Sequence, residues 1–172
     1  MEDIKSLIRD IPDFPKEGII FRDITTAVKD ANGMKKIIDL MCEEFEGKKI
    51  DYVAGIESRG FIFGMPIAYK LGCGFVPIRK PGKLPCETIS QEYSLEYGTD
   101  KIEIHKDAFK EGDRVLLVDD LLATGGTAAA ACALIKSTGA ILEGISFVIE
   151  LEDLNGRAKL PADTKIVTLA KY

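Results

Sequence analysis

Arg114 to Thr127 reads RVLLVDDLLATGGT, and the order of residue types in it decides the fold. Val115-Leu116-Leu117-Val118 is a short apolar run, the composition of a strand buried on both faces of a parallel sheet. Two carboxylates, Asp119 and Asp120, close the run. A loop of small residues follows, Ala123-Thr124-Gly125-Gly126-Thr127, and then a helix-forming stretch from Ala128 to Lys136. Strand, acidic pair, glycine loop and helix in that order predict a ligand site, because open α/β sheets bind ligands beyond the carboxyl ends of their strands.

The loop suits a phosphate. Glycine lets backbone approach a ligand closely, and loop amides together with a helix N-terminus converge on one anion. Thr124 and Thr127 add hydroxyl donors. No lysine follows Gly126, which sets the stretch apart from the nucleotide P-loop. The carboxylates would repel phosphate, so their partners are ribose hydroxyls or a cation. A sugar phosphate satisfies both halves. The competing local reading is an ordinary strand-to-helix junction with a solvated acidic pair. VDDLLATGGT resembles the phosphoribosyl pyrophosphate signature of the type I phosphoribosyltransferases.

Outward from this stretch the pattern repeats. Asp51 to Ile56 predicts a strand, GIESRG a tight polar turn, Phe61 to Leu71 a helix and Phe75 to Ile78 a second strand. Together they form a βαβ unit and require a parallel sheet. Arg59 in the turn can fork onto phosphate oxygens or pair with Glu57 at the helix start. Arg79 to Pro85, RKPGKLP, is a stiff basic loop, either a solvated charge run or an anion contact. Thr88 to Ile104 alternates polar and β-forming residues, which predicts two strands joined near Gly98.

The N-terminus spaces Ile4, Leu7, Ile8 and Ile11 as an amphipathic helix ended by Pro12 and Pro15. Met34, Ile37, Ile38, Met41 and Phe45 predict a second helix with a core face, broken at Gly47. Gly139 to Leu151 reads as a strand, Asn155 to Leu160 as a short helical turn and Ile166 to Leu169 as an edge strand.

At 172 residues one domain is the default, and it extends over residues 1–172. Residues 1–33 read as an N-terminal arm and residues 87–105 as a flexible β hood. The net charge of −5 argues against broad electrostatic binding of nucleic acid. There is no apolar run of membrane-spanning length and no secretory leader pattern. The 4 cysteines lack metal-ligand spacing, which points to reduced thiols and a cytoplasmic protein, and 1 histidine cannot build a multi-histidine metal site.

The family resemblance extends from Asp13 to Leu160, and FRDIT and YSLEYG are similar to the adenine-using members. It implies an α/β fold: a parallel sheet flanked by helices, with an N-terminal arm and a small β hood. It also implies transfer of the 5-phosphoribosyl group from 5-phosphoribosyl 1-pyrophosphate (PRPP) to adenine, giving AMP and pyrophosphate, a step of purine salvage. Carried over residue by residue, Asp119 and Asp120 hold the ribose, and Ala123, Thr124, Gly125, Gly126 and Thr127 hold the 5′-phosphate. Ser58, Arg59, Arg79, Lys80, Lys83 and Tyr97 meet the pyrophosphate. Ile20, Phe21, Arg22 and Leu121 hold adenine, and Glu96 and Arg59 are the catalytic residues. The resemblance further implies a non-proline cis peptide beside Ser58, and Mg²⁺ held mainly through the substrate rather than in a protein cage. It implies a homodimer in which loop 79–85 reaches the partner's site. Two rivals are a phosphoribosyltransferase for guanine or xanthine and a donor-sensing transcriptional regulator. FRDIT and SLEYG oppose the first. Met1 to Ile11, too short for a helix-turn-helix, opposes the second.

Overall fold

The computed structural model describes residues 4–95 and 98–172. The chain folds as two compact units, residues 1–40 and residues 41–172.

The larger unit is organised on a five-stranded sheet. β3 (Tyr52–Ile56), α4 (Arg59–Leu71) and β4 (Gly74–Ile78) make one crossover, and β7 (Arg114–Leu122), α5 (Gly126–Ser137) and β8 (Ile141–Glu150) make the other. β9 (Lys165–Lys171) completes the order β4-β3-β7-β8-β9, with every pairing parallel. The expected parallel sheet flanked by helices is therefore present, and the last strand lies at an edge as the sequence predicts. From β3 the chain steps toward one edge, and from β7 toward the other. Right-handed crossovers then put α4 and α5 on opposite faces, and the switch point falls between β3 and β7.

The central strands are apolar on both faces. Val115, Leu116, Leu117 and Val118 are all fully buried, as a parallel strand covered by helices requires. β7 runs longer than expected. The pairing of Asp119 with Phe147, Leu121 with Ile149 and Leu122 with Glu150 carries it through the acidic pair.

β5 (Thr88–Ser94) and β6 (Thr99–His105) form the antiparallel hairpin expected of the hood. Ile102 and Ile104 of β6 are buried in the main core, and Ile89 and Tyr93 of β5 pack against it. Burying two isoleucines anchors β6 firmly. Glu96 and Tyr97, assigned to that connection, lie outside the described residues.

In the smaller unit one expectation fails. The helix α1 (Ile4–Leu7) stops early, and Arg9–Pro12 is a strand, β1, paired antiparallel with β2 (Ile20–Asp23). Pro12 disfavours helical backbone at Ile11, and as a strand residue Ile11 instead faces Phe21 across the pair. Arg9 pairs with Asp23 at 2.5 Å, and Arg22 with Asp10 at 2.5 Å. α2 (Thr25–Lys29) follows. α3 (Ala31–Glu43) begins in this unit and ends in the larger one, with Phe45 buried just beyond it and Gly47 at a φ of +78°.

Candidate active site

The switch point holds a cavity of about 310 Å³. It is lined by Glu57, Ser58 and Arg59 after β3, by Asp119, Asp120 and Leu121 at the carboxyl end of β7, and by Thr127 in the first turn of α5. Lys80 and Tyr93 close it from the basic loop and the hood, over Ile56, Ile78 and Ile102. Ser58 and Arg59, Lys80, and Asp119 to Leu121, which the resemblance assigns to pyrophosphate, ribose and base, thus line one cavity from three segments of the larger unit.

Arg59 is the first residue of α4. Its Nε donates to Asp120 Oδ2 at 2.5 Å, across 61 positions of sequence. It does not pair with Glu57, the local alternative. Glu57 instead accepts from Arg79 Nε at 3.1 Å, from the Lys80 amide at 2.8 Å and from Lys83 Nζ. Burial works against charge on Glu57, but the Lys83 ammonium, the Lys80 amide and the Arg79 guanidinium outweigh it and hold the carboxyl below its ordinary pKa. Glu57 is therefore a hub for the basic loop. Of the loop's cations, Lys80 faces the cavity, whereas Arg79 and Lys83 are turned to Glu57. The peptide between Glu57 and Ser58 is cis, where the resemblance implies one.

Lys80 also joins the loop to the hood. Its Nζ donates to Tyr93 Oη at 2.7 Å and forms an ion pair with Asp100. Nothing in the sequence singles out Tyr93. Its place in an alternating strand is visible there, but no local signal points it at this cavity.

The acidic pair is unequal. Asp120 is 6 % exposed and neutralised by Arg59. Asp119 Oδ1 accepts the Asp120 amide at 2.9 Å. Burial of its carboxyl, and next the charge of Asp120, push the Asp119 pKa well up. A cation arriving at the cavity would favour the charged form of Asp119 and so oppose that rise.

Beside this cavity lies a smaller cup of about 90 Å³, lined by Asp119 and by every residue from Leu121 to Ala128. Gly125, at a φ of +78°, is the cap residue of α5. A non-glycine residue would be strained there. The cup opens at a helix N-terminus and has the size and donors for one phosphate group. Ala123, Thr124, Gly125, Gly126 and Thr127 all line it.

Ile20, Phe21 and Arg22 lie on β2 of the smaller unit. Ile20 is half exposed, Phe21 packs edge-on against Phe14 at 5.3 Å, and Arg22 holds Asp10. Among the described residues no group of three or more His, Cys, Asp or Glu side chains could cage a metal, and no helix is long and apolar enough to cross a membrane.

A glycine-loop cup, an acidic pair and a cationic rim at one switch point are the arrangement expected of a phosphoribosyltransferase. The phosphoribosyl transferase domain model matches residues 25–166. The adenine phosphoribosyltransferase of Acaryochloris marina is 61% identical over 170 residues, which are 99% of each chain. The crystal structure of the Thermoanaerobacter pseudethanolicus adenine phosphoribosyltransferase superimposes with a TM-score of 0.93 at 56% identity, over 98% of both chains. That of the Saccharomyces cerevisiae enzyme, complexed with an imino-altritol bisphosphate and adenine, matches with a TM-score of 0.91 at 45% identity, over 96% of each chain. This chain belongs to the phosphoribosyltransferase family, among its adenine phosphoribosyltransferases.

Proposed function

We propose that this chain transfers the 5-phosphoribosyl group from PRPP to N9 of adenine, releasing pyrophosphate and forming AMP in purine salvage. The observation that carries the reading is the Arg59–Asp120 pair beside Asp119, with the glycine-loop cup immediately behind it.

The chemistry follows from charge. Breaking the bond between C1′ and pyrophosphate leaves a cation-like sugar and a highly charged leaving group. Asp119 and Asp120 accept the ribose hydroxyls and face the positive carbon. Arg59, Ser58 and Lys80 meet the departing pyrophosphate, with Arg79, Lys83 and Tyr97 as further partners. Arg59 gives its Nε to Asp120, and a guanidinium carries further N–H donors with which it can meet phosphate oxygens. The 5′-phosphate in the 123–127 cup fixes the sugar, so binding energy far from C1′ is used for orientation. Ile20, Phe21, Arg22 and Leu121 hold the base, and Glu96 holds or relays the proton lost from N9.

Mg²⁺ fits this oxygen-rich, cage-free site as an ion carried in by the donor's own phosphate oxygens, facing the acidic pair. It supplies charge neutralisation of the pyrophosphate. The protein works as a homodimer with loop 79–85 near the partner's site. An apolar stripe on α4 supports self-association: Ile62, Met65 and Tyr69 stand 41%, 54% and 90% exposed. A cytoplasmic location agrees with four free thiols.

Incubation with radiolabelled adenine, PRPP and Mg²⁺ tests the reading. AMP and pyrophosphate should accumulate in equal amounts. Donor binding without pyrophosphate release would make the chain a sensor instead.

A further inference from the structure

The phosphate cup cannot hold its own shape. Ala123, Thr124, Gly125, Gly126 and Thr127 have almost no side-chain surface with which to pack one another. A loop that must present its amides at fixed positions needs support from outside.

That support is backbone from a distant segment. The chain leaves β8 and makes two short 3₁₀ turns, Glu152–Leu154 and Gly156–Lys159, with Asn155 between them at a φ of +48°. Gly156 presses directly on the cup. A Cβ on Gly156 would lie 2.1 Å from the Ala123 carbonyl oxygen and 2.8 Å from the Gly125 amide nitrogen. A Cβ on Gly125 would lie 2.2 Å from the Gly156 carbonyl oxygen. Both positions therefore need glycine, because two backbones touch where a side chain would stand.

The turn is itself anchored. Glu150, at the end of β8, is 4% exposed. It accepts from Arg157 Nε at 2.8 Å and from Arg157 Nη2 at 2.5 Å, a bidentate pair. Thr168 Oγ1 on β9 donates to Glu150 Oε2 at 2.9 Å. The Leu151 amide donates to the Leu122 carbonyl at 2.9 Å, which ties the end of β8 to the last residue of β7 before the cup. Glu150, Arg157 and Thr168 line neither the cavity nor the cup.

We propose that the Asn155–Gly156–Arg157 turn, locked by the Glu150–Arg157–Thr168 cluster, is the positioning element of the 5′-phosphate cup, with Arg157 as its anchoring residue. This rests on the reading of residues 123–127 as the phosphate site. Arg157 acts through Gly156 and never touches the substrate.

The test measures ribose 5-phosphate binding by calorimetry, KM for PRPP and adenine separately, and thermal stability. The variants are Arg157→Ala, Arg157→Lys, Thr168→Ser, Gly156→Ala and, as a direct cup variant, Thr127→Ala. Arg157→Ala should weaken ribose 5-phosphate binding and raise the PRPP KM about tenfold while leaving the adenine KM nearly unchanged, with a lower melting temperature because Glu150 loses the partner of its buried carboxylate. Gly156→Ala should give the same phosphate-specific loss more strongly. Arg157→Lys, which keeps the charge but loses the fork, should fall between, and Thr168→Ser should match the parent. If Gly156→Ala does not fold, Arg157→Lys against Arg157→Ala carries the test. If Thr127→Ala weakens ribose 5-phosphate binding but folded Arg157→Ala does not, the positioning role is overturned and the cup stands. If Thr127→Ala has no effect, the cup assignment falls and the inference with it. A parallel loss for PRPP and adenine in step with melting temperature would make the turn a purely structural feature and overturn the role.

Discussion

Arg59 Nε lies 2.5 Å from Asp120 Oδ2, joining the turn after β3 to the carboxyl end of β7. The contact spans the switch point of the sheet and sets the guanidinium of the turn against one of the two carboxylates, the pair proposed to serve the leaving group and the sugar. Asp120→Asn removes the charge that pairs with Arg59 and leaves one amide oxygen in place of two carboxylate acceptors. We expect kcat/KM for PRPP to fall about a hundredfold, with the adenine KM within about twofold of the parent. Asp119→Asn should show the same asymmetry. Initial-rate kinetics with each substrate varied in turn decide the matter, and an unchanged donor KM and kcat in both variants would remove the acidic pair from the site.

The second expectation concerns acid stability of the N-terminal unit. Hydrogen bonds from Arg9, and next from the Thr25 amide, lower the Asp23 pKa from 3.8 to about 2. The folded value lies below the unfolded one. The stabilisation is therefore present above pH 3.8 and is lost as pH falls toward 2. Arg9 is 57% exposed, so solvent screening leaves only part of the shift as stability. Arg9→Ala should cost on the order of 1 kcal/mol at neutral pH, and the difference should shrink toward zero near pH 2. Urea unfolding of both proteins at several pH values measures it. A difference that grows on acidification would contradict the assignment.

Self-association gives the third. Sedimentation should show a dimer, and Tyr69→Glu, a charge at the most exposed position of the α4 stripe, should shift it toward monomer. Mixing Arg79→Ala with Asp120→Asn subunits should restore part of the activity that each lacks alone, if loop 79–85 serves the partner's site. Arg79 bound to Glu57 of its own chain at 3.1 Å sets the competing possibility. Without any recovery in the mixture, the loop acts only within its own subunit.

Glu96 gives the fourth. Glu96→Ala should lower kcat about a hundredfold with adenine binding nearly intact, and Glu96→Gln should recover any purely positional share. Ligand-dependent protection in hydrogen exchange should appear in the hood, residues 87–105. Full kcat in Glu96→Ala would make this glutamate a surface carboxylate.

The parts of the site that the sequence shows are those made by neighbours in the chain. RVLLVDDLLATGGT carries its strand, acidic pair, cup and helix in one stretch, and GIESRG does the same on a smaller scale. Partners across the fold are not legible. Nothing near Arg59 points 61 residues onward to Asp120, and Glu57, two residues away, is the nearer alternative. Glu57 proves to be the hub for Arg79, Lys80 and Lys83, a role that exists only once the loop has folded back. Gly156 looks like any turn glycine until Ala123 and Gly125 are seen against it. The N-terminal strand is hidden because Ile4, Leu7, Ile8 and Ile11 satisfy helical spacing, whereas pairing with β2 overrides the periodicity at Ile11.

The most direct measurement is AMP formation with adenine, hypoxanthine and guanine offered at equal concentration with PRPP and Mg²⁺, with all nucleotides and pyrophosphate quantified together. AMP should be the dominant nucleotide, matched one for one by pyrophosphate, and Asp120→Asn should abolish most of both. Nucleotide formed mainly from guanine or hypoxanthine, or pyrophosphate released without AMP, would contradict transfer to adenine at this site.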